Sequence, residues 1–322
     1  MHSRRASVRY RSISARDRSI QVNGNPYRWD AGWGTNGQEE RWHAMIGIIG
    51  GGQMGAGIAE LVATHGIDAL VIEVSEDAAQ ASHARIRASL DRAVIREKTT
   101  AAQADAALAR IRINTDWAAL AEADCIVEAV PENLQAKAAV FARLDEVAPA
   151  DALLGTNTSS LPIAQIAAMS SRPEQIIGLH FFNPVPVMSV IEVIPGLRTS
   201  ARSLERALAL AATLERTVIR SADRAGFIVN GLLMPYLMSA IRMFEAGHAT
   251  AEDIDAGMVL GCNHPMGPLR LADFIGLDTC LAITESLFAE YREPQFAAPS
   301  LLRRMVESGQ FGRKSGHGFY GY

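Results

Sequence analysis

The sequence predicts an α/β fold, a doubly wound sheet with an inserted helical hairpin, followed by an all-α C-terminal domain. Three observations predict it. From Met45 short apolar runs alternate with segments of helical period, the pattern of a parallel sheet covered by helices. A glycine-rich turn stands between the first run and the first helix. After Ala225 the strand signals stop and only helical periods follow.

Taken in order, residues 45–49, 69–73, 125–130, 153–156, 176–180, 187–193 and 217–219 read as strands, each a short β-branched or aliphatic run. Between the first two, Met54, Ile58, Leu61 and Val62 recur at helical spacing and face the sheet. Residues 77–112 hold no strand signal and read as the inserted hairpin. On it Arg85, Ser89, Arg92 and Arg96 follow one another at offsets of four, three and four, which puts a basic stripe on one helix face. A solvated helix face is the plainer account of that stripe. Residues 226–245 read as a long apolar helix, and Thr250 to Asp253 resembles a capping box opening the next. The turn at 263–268, with Pro265, Gly267 and Pro268, separates further short helices. Their apolar faces exceed what one lobe covers, so the C-terminal domain is expected to pack against a second copy as a homodimer.

Length and composition bound the rest. The 322 residues suffice for two domains, placed at 45–224 and 225–322, with hydrophobic residues at 48% and charged residues at 20% as in globular proteins. A formal net charge of −4 offers no basic field for nucleic acid. Cys125, Cys262 and Cys280 form no CxxC and no metal-ligand spacing, so neither a disulfide framework nor a metal site is expected, and a reducing compartment fits. No apolar run reaches the roughly 18–20 residues of a membrane span, so no membrane partner is expected.

Residues 1–44 differ from the rest and are expected to be a disordered or non-native extension. Arg4, Arg5, Arg9, Arg11, Arg16 and Arg18 among serines, with Asp17 as the lone acid up to that point, read as a transit peptide, which would direct the chain to the mitochondrial matrix. An upstream start codon is the other reading, since Met45 opens directly into the first strand, and it leaves the protein cytoplasmic.

Gly50-Gly51-Gly52-Gln53-Met54-Gly55 between a strand and a helix is the Rossmann-type fingerprint, in which glycines allow the tight turn and close approach to a pyrophosphate. Glu73 ends the next strand at about the 20-residue offset where an acid holds the ribose hydroxyl and repels the extra phosphate of NADP. The cofactor expected is NAD.

His180 lies at the end of a predicted strand, on the carboxyl edge where open α/β sheets bind ligands. Histidine as a residue type suits removal of a hydroxyl proton as hydride leaves the same carbon. A core histidine satisfied by backbone is the alternative. Prolines 184 and 186 suggest that the chain turns back and brings Glu192 to the far imidazole nitrogen, where a carboxylate fixes the tautomer and stabilises imidazolium. A strand-end surface glutamate is its alternative, which the apolar neighbours disfavour. Asn230 interrupts an apolar run, and a buried amide there needs a partner, for which the reacting oxygen is a candidate. Ser159 and Ser160 precede Pro162 and can equally cap a helix.

Together these residues resemble the short-chain 3-hydroxyacyl-CoA dehydrogenases, including bacterial 3-hydroxybutyryl-CoA dehydrogenases, over the whole of 45–322. The resemblance rests on the glycine turn and on the segments 128–133 (EAVPEN), 157–160 (NTSS), 180–184 (HFFNP), 226–230 (GFIVN), 264–268 (HPMGP) and 312–320 (GRKSGHGFY). It implies NAD-dependent oxidation of an (S)-3-hydroxyacyl-CoA to the 3-oxoacyl-CoA in fatty-acid or butanoate metabolism. His180 is implied as base, Glu192 as its partner, and Ser159 and Asn230 as groups near the substrate oxygen. It further implies cofactor contacts from Glu73, Glu132, Lys137, Asn183 and Lys314, and contacts to the CoA carrier from Ser89 and Arg96. The chain departs from the family's more frequent residues at Glu73, Arg92, Arg96, Pro131 and Gly231. A dehydrogenase of a free hydroxy acid or sugar acid on a similar plan, or a non-catalytic NAD-binding protein, is the alternative function.

Overall fold

The computed structural model describes Trp42 and residues 45–322. The readings made for residues 1–44 therefore lie outside the described residues, apart from Trp42, whose half-buried ring lies 5.0 Å from the Arg206 guanidinium and packs on the core.

Eight strands form one sheet: β1 Met45–Ile49, β2 Ala69–Ile72, β3 Ile111–Asn114, β4 Ala123–Glu128, β5 Leu153–Thr156, β6 Ile176–Phe181, β7 Val190–Pro195 and β8 Thr217–Arg220. Their order across the sheet is β3-β2-β1-β4-β5-β6-β7-β8, parallel throughout except between β6 and β7. The order reverses between β1 and β4, and the crevice at such a switch point is where open α/β sheets bind ligands.

Helices cover both faces because the strands are apolar on both. Along β1, Ile46 and Ile48 enter the core shared with α1 Gln53–Thr64, α2 Glu76–Ile95, α3 Ala101–Ala109 and α6 Ala201–Thr213. Met45 and Ile49 enter the opposite core, with α4 Leu134–Val147 and α5 Ile163–Ala167. This is the two-residue alternation of a strand buried on both sides.

A third core joins α7 Val229–Glu245, α8 Ala251–Cys262, α9 Pro268–Ile275, α10 Leu277–Tyr291 and α11 Ser300–Glu307. Thr250 caps α8 as its sequence suggests, its hydroxyl accepting Asp253 N–H at 3.1 Å. The chain end is tied down by Asp273, whose carboxylate accepts Phe319 N–H and Tyr320 N–H, both at 3.0 Å. Glycine is required at 312, where φ is +84° and a Cβ would lie 2.4 Å from the Asp273 carbonyl oxygen. The described residues form one compact unit.

The structure corrects three expectations. Strand β3 was not expected, because its four residues hold two polar side chains and sit at the sheet edge, where one-sided pairing needs little apolar surface. Strand β7 begins at Val190, three residues later than expected, since 184–188 form a turn closed by Val187 N–H and Met188 N–H on the Pro184 carbonyl. Helix α7 begins at Val229, because Gly226 and Phe227 take positive φ of 75° and 49°. Helix α2 ends at Ile95, so Arg96 closes the basic stripe as the cap residue, its N–H on the Arg92 carbonyl at 3.1 Å.

Candidate active site

The antiparallel β6–β7 register pairs His180 directly with Glu192, so both side chains leave the same face of the sheet. Glu192 Oε2 lies 2.6 Å from His180 Nδ1. The other carboxylate oxygen accepts Ile228 N–H at 3.1 Å and Val229 N–H at 2.9 Å, the amides that open α7. Glu192 is fully buried, and these donors satisfy it where water is absent. The same carboxylate thus orients the imidazole and fastens the first turn of α7 to the sheet.

On the far side of the ring, His180 Nε2 faces Ser159 Oγ at 3.2 Å. With Glu192 on Nδ1, that nitrogen carries the proton and Nε2 presents its lone pair. Asn230, in the first turn of α7, is buried and directs Nδ2 to the Ser159 carbonyl at 3.5 Å. His180, Ser159 and Asn230 therefore converge from β6, the loop after β5 and α7. The rings of Phe182 and Phe227, with centroids 4.6 and 5.6 Å from that of His180, wall the imidazole.

The serines do not cap α5. Asp223 does, accepting Ile163 N–H at 2.6 Å and Ala164 N–H at 2.7 Å. Ser159 and Ser160 are held instead by Glu132, whose Oε1 accepts Thr158 Oγ at 2.6 Å, Ser159 N–H at 2.8 Å and Ser160 N–H at 2.9 Å. Burial alone would raise the Glu132 pKa, but Lys137 and these donors outweigh it and hold the carboxyl below its ordinary range. Lys137, expected as a cofactor contact, is fully buried behind Glu132. Its ammonium is taken up by Glu128 at 2.8 and 3.0 Å and lies 3.3 Å from Glu132.

The glycine turn fits a dinucleotide. Gly50 has φ of +91°, and a Cβ on Gly55 would lie 1.8 Å from the Gly50 carbonyl oxygen. A Cβ on Gly52 would meet nothing within 4 Å, and Gly52 caps α1 without a side-chain bond, so space and free amides lie together at the helix start. Met54 turns its side chain into the core. Glu73 Oε1 accepts Gly51 N–H at 2.7 Å, which places this acid against the turn as expected of a ribose-holding residue.

A cavity of about 390 Å³ opens beside this turn. Gln53 and Gly57 of α1, Ser89 and Arg92 of α2, Asn183, and Arg313 and Lys314 line it. Arg96 does not line it, so of the two residues expected to meet the CoA carrier the structure brings only Ser89 to the cavity. Lys314 is ion-paired with Asp278 at its rim.

Sequence reading gave no role to Glu60 or Glu128, and it placed Arg85 only on the basic stripe. Arg85 donates to the Gly51 carbonyl at 2.7 Å and lines the cavity, clamping α2 onto the glycine turn. Glu60 is buried in the cavity wall, where burial raises its pKa against Ser89 and Arg92, which lower it. The signal for Glu60 and Glu128 was a carboxylate inside an otherwise apolar helix or strand.

The fold and motifs are shared with known proteins. Residues 45–224 match the family model of the 3-hydroxyacyl-CoA dehydrogenase NAD binding domain, and 226–322 match that of its C-terminal domain. A 3-hydroxybutyryl-CoA dehydrogenase of Mycobacterium tuberculosis is 48% identical over 279 residues, covering 86% of this chain and 98% of that one. The crystal structure of M. tuberculosis FadB2 superposes with a TM-score of 0.86 at 46% identity, covering 88% of this chain and 100% of that one. That of (S)-3-hydroxybutyryl-CoA dehydrogenase PaaH1 from Ralstonia eutropha gives 0.82 at 42%, covering 87% and 99%.

Proposed function

The chain belongs to the 3-hydroxyacyl-CoA dehydrogenase family, and from that premise we propose that it oxidises the 3-hydroxyl of a short (S)-3-hydroxyacyl-CoA, with 3-hydroxybutyryl-CoA as the leading substrate. The observation that carries the reading is the imidazole of His180, held by Glu192 on one nitrogen and open to Ser159 on the other.

NAD is the cofactor of the family, and when bound it accepts the hydride from C3 of the substrate. Gly50, Gly52, Gln53, Met54 and Gly55 would hold its pyrophosphate through their backbone, Glu73 would hold the adenine ribose, and Glu132, Asn183 and Lys314 would contact it further along. The substrate hydroxyl takes its place between Ser159 Oγ and His180 Nε2, with Asn230 as a further polar neighbour. His180 removes the hydroxyl proton as the carbonyl forms, and Glu192 stabilises the resulting imidazolium. The buried surroundings strengthen that pairing, because charge separation there is not screened by water. Ser89, Arg92 and the more distant Arg96 provide the cationic approach for the phosphates of CoA.

The reading includes a cytoplasmic homodimer through the C-terminal helices. Leu232 and Leu260, 74% and 84% exposed, support it, and among the described residues no helix is long and apolar enough to cross a membrane. Sedimentation analysis tests the dimer. The function itself is tested by following NADH formation with (S)-3-hydroxybutyryl-CoA, its (R) enantiomer and free 3-hydroxybutyrate. Turnover of the (S) thioester alone is expected. Equal turnover of the free acid would move the protein to the hydroxy-acid dehydrogenases, and no turnover of any would leave a non-catalytic NAD-binding protein.

A further inference from the structure

The cavity beside the glycine turn is lined by four cations, Arg85, Arg92, Arg313 and Lys314, and by a single acid, Glu60. Glu60 is the only acid of α1 and is 4% exposed, and a carboxylate withdrawn from water is costly unless something answers its charge. Beside the phosphates of a carrier it also has the wrong sign. The two helices line the cavity in step, α1 with Gln53, Gly57 and Glu60 and α2 with Arg85, Ser89 and Arg92, each set at offsets of four and three along one helix face. At the glycine-turn end Arg85 is tied to α1 through the Gly51 carbonyl at 2.7 Å. At the other end Glu60 takes that part. Burial pushes its pKa up, and a hydrogen bond from the Ser89 hydroxyl and the charge of Arg92 oppose the push. Arg96, one turn further along α2, does not line the cavity, and α1 carries no second acid to draw it in.

We infer that Glu60 is a positioning residue for the acyl-CoA: from the cavity wall it draws the Arg92 guanidinium inward, with Ser89 beside it, so that Arg92 meets a phosphate of the carrier. The inference rests on the substrate class proposed above. A guanidinium carries five N–H donors in a planar fork, so one edge can face a carboxylate while another faces a phosphate. Arg92 is exposed, and an exposed arginine without an anchor must be ordered when the ligand binds, which weakens affinity. An acid behind it orders it beforehand. The same acid is kept from the phosphate by its burial, because Arg92 stands between the cavity wall and the open side.

The test is calorimetric binding of butyryl-CoA, which lacks the 3-hydroxyl and does not react, to the wild type, Glu60→Gln, Arg92→Ala and the double variant, with NADH titrated into each. Glu60→Gln keeps the shape of the side chain and removes its charge. We expect it to weaken butyryl-CoA about tenfold, the worth of one charge-assisted contact, and to leave the NADH Kd unchanged. Once Arg92 is alanine the same change should matter little, because Glu60 acts through Arg92. The kcat/KM for (S)-3-hydroxybutyryl-pantetheine, which has no nucleotide phosphates, should be the same in wild type and Glu60→Gln. Should the glutamine variant fail to fold, Glu60→Asp keeps the charge on a shorter arm and should show a smaller loss with the same dependence on Arg92. Unchanged or tighter binding of butyryl-CoA by Glu60→Gln would overturn the inference, tighter binding meaning that the acid only repels the phosphates. Losses that multiply with Arg92→Ala would overturn it too, as would an equal loss for the pantetheine thioester, which would put Glu60 on the arm of the carrier. A wild type that binds NADH but not butyryl-CoA would refute the proposed substrate class and the inference together, whereas one that binds both and is indifferent to Glu60→Gln refutes the inference alone.

Discussion

Replacing Glu192 with glutamine puts the proposed mechanism under the greatest strain. The carboxylate accepts three hydrogen bonds, from His180 and from the backbone at 228 and 229. An amide keeps one acceptor oxygen and gains a donor. The two backbone amides cannot rotate, so the oxygen stays with them and the NH₂ turns to His180. Nδ1 must then accept, its proton moves to Nε2, and Nε2 no longer serves as a base. The carboxylate-to-amide change in a serine-protease triad traps the wrong tautomer in the same way and costs about 10⁴ in kcat. We expect Glu192→Gln to lose at least roughly 10²-fold, the lower end for general-base catalysis. Exchanging three charge-assisted bonds for neutral ones costs about 1 kcal/mol each. For a domain of this size that lowers Tm by roughly 6–12 °C, which melting curves read directly. Initial rates of NADH formation at saturating substrate, with melting curves on the same samples, measure both effects. His180→Gln should be as damaging, and the double variant little worse than His180→Gln alone, because the pair acts as one unit. Multiplying losses, or a Glu192→Gln enzyme as active as the wild type, would refute the reasoning.

Glu73→Ala combined with Val74→Arg should shift preference from NAD towards NADP, read as the ratio of kcat/KM for the two cofactors; an unchanged ratio would remove Glu73 from the ribose site. Arg92 lines the cavity and Arg96 does not, so Arg92→Glu should raise KM for acyl-CoA more than Arg96→Glu, with a difference that shrinks at high salt; the reverse order would place CoA outside the cavity. Gly55→Ala forces a Cβ to 1.8 Å from the Gly50 carbonyl, so NADH affinity measured by titration should collapse, whereas Gly52→Ala meets no protein atom and should interfere only with the ligand. Glu132 is held below its ordinary pKa of 4.5, so the stability it contributes is present above that pH and is lost as pH falls through the lower folded value. Tm against pH should therefore fall less steeply below pH 4.5 in Glu132→Gln than in the wild type.

Local order was legible along the chain. The strand, glycine turn and helix at 45–64 are encoded within twenty residues or so by a buried run, φ-permissive glycines and a helical apolar period, all of which act between near neighbours. The helical C-terminal segment and the Thr250 cap were legible for the same reason. His180 and Asn230 stood out as polar residues in apolar surroundings, which is a property of composition. What the sequence could suggest but not decide was which remote groups meet. Whether Glu192 faces His180 depends on the β6–β7 register, and a slip of one residue would turn it to the opposite face of the sheet. Helix capping and catalysis read alike at Ser159 until Asp223, some sixty residues away, took the cap and left the serine to His180. Lys137 and Glu128 are nine residues apart, yet their burial together is decided by the packing of α4 on the sheet. Arg96 shared the spacing of the stripe but not its place at the cavity, which the linear sequence does not show. Periodicity and turn chemistry are short-range and survive in a linear reading. Pairing of buried charges is long-range, and it exists only once the sheet has set its register and the helices have closed over it.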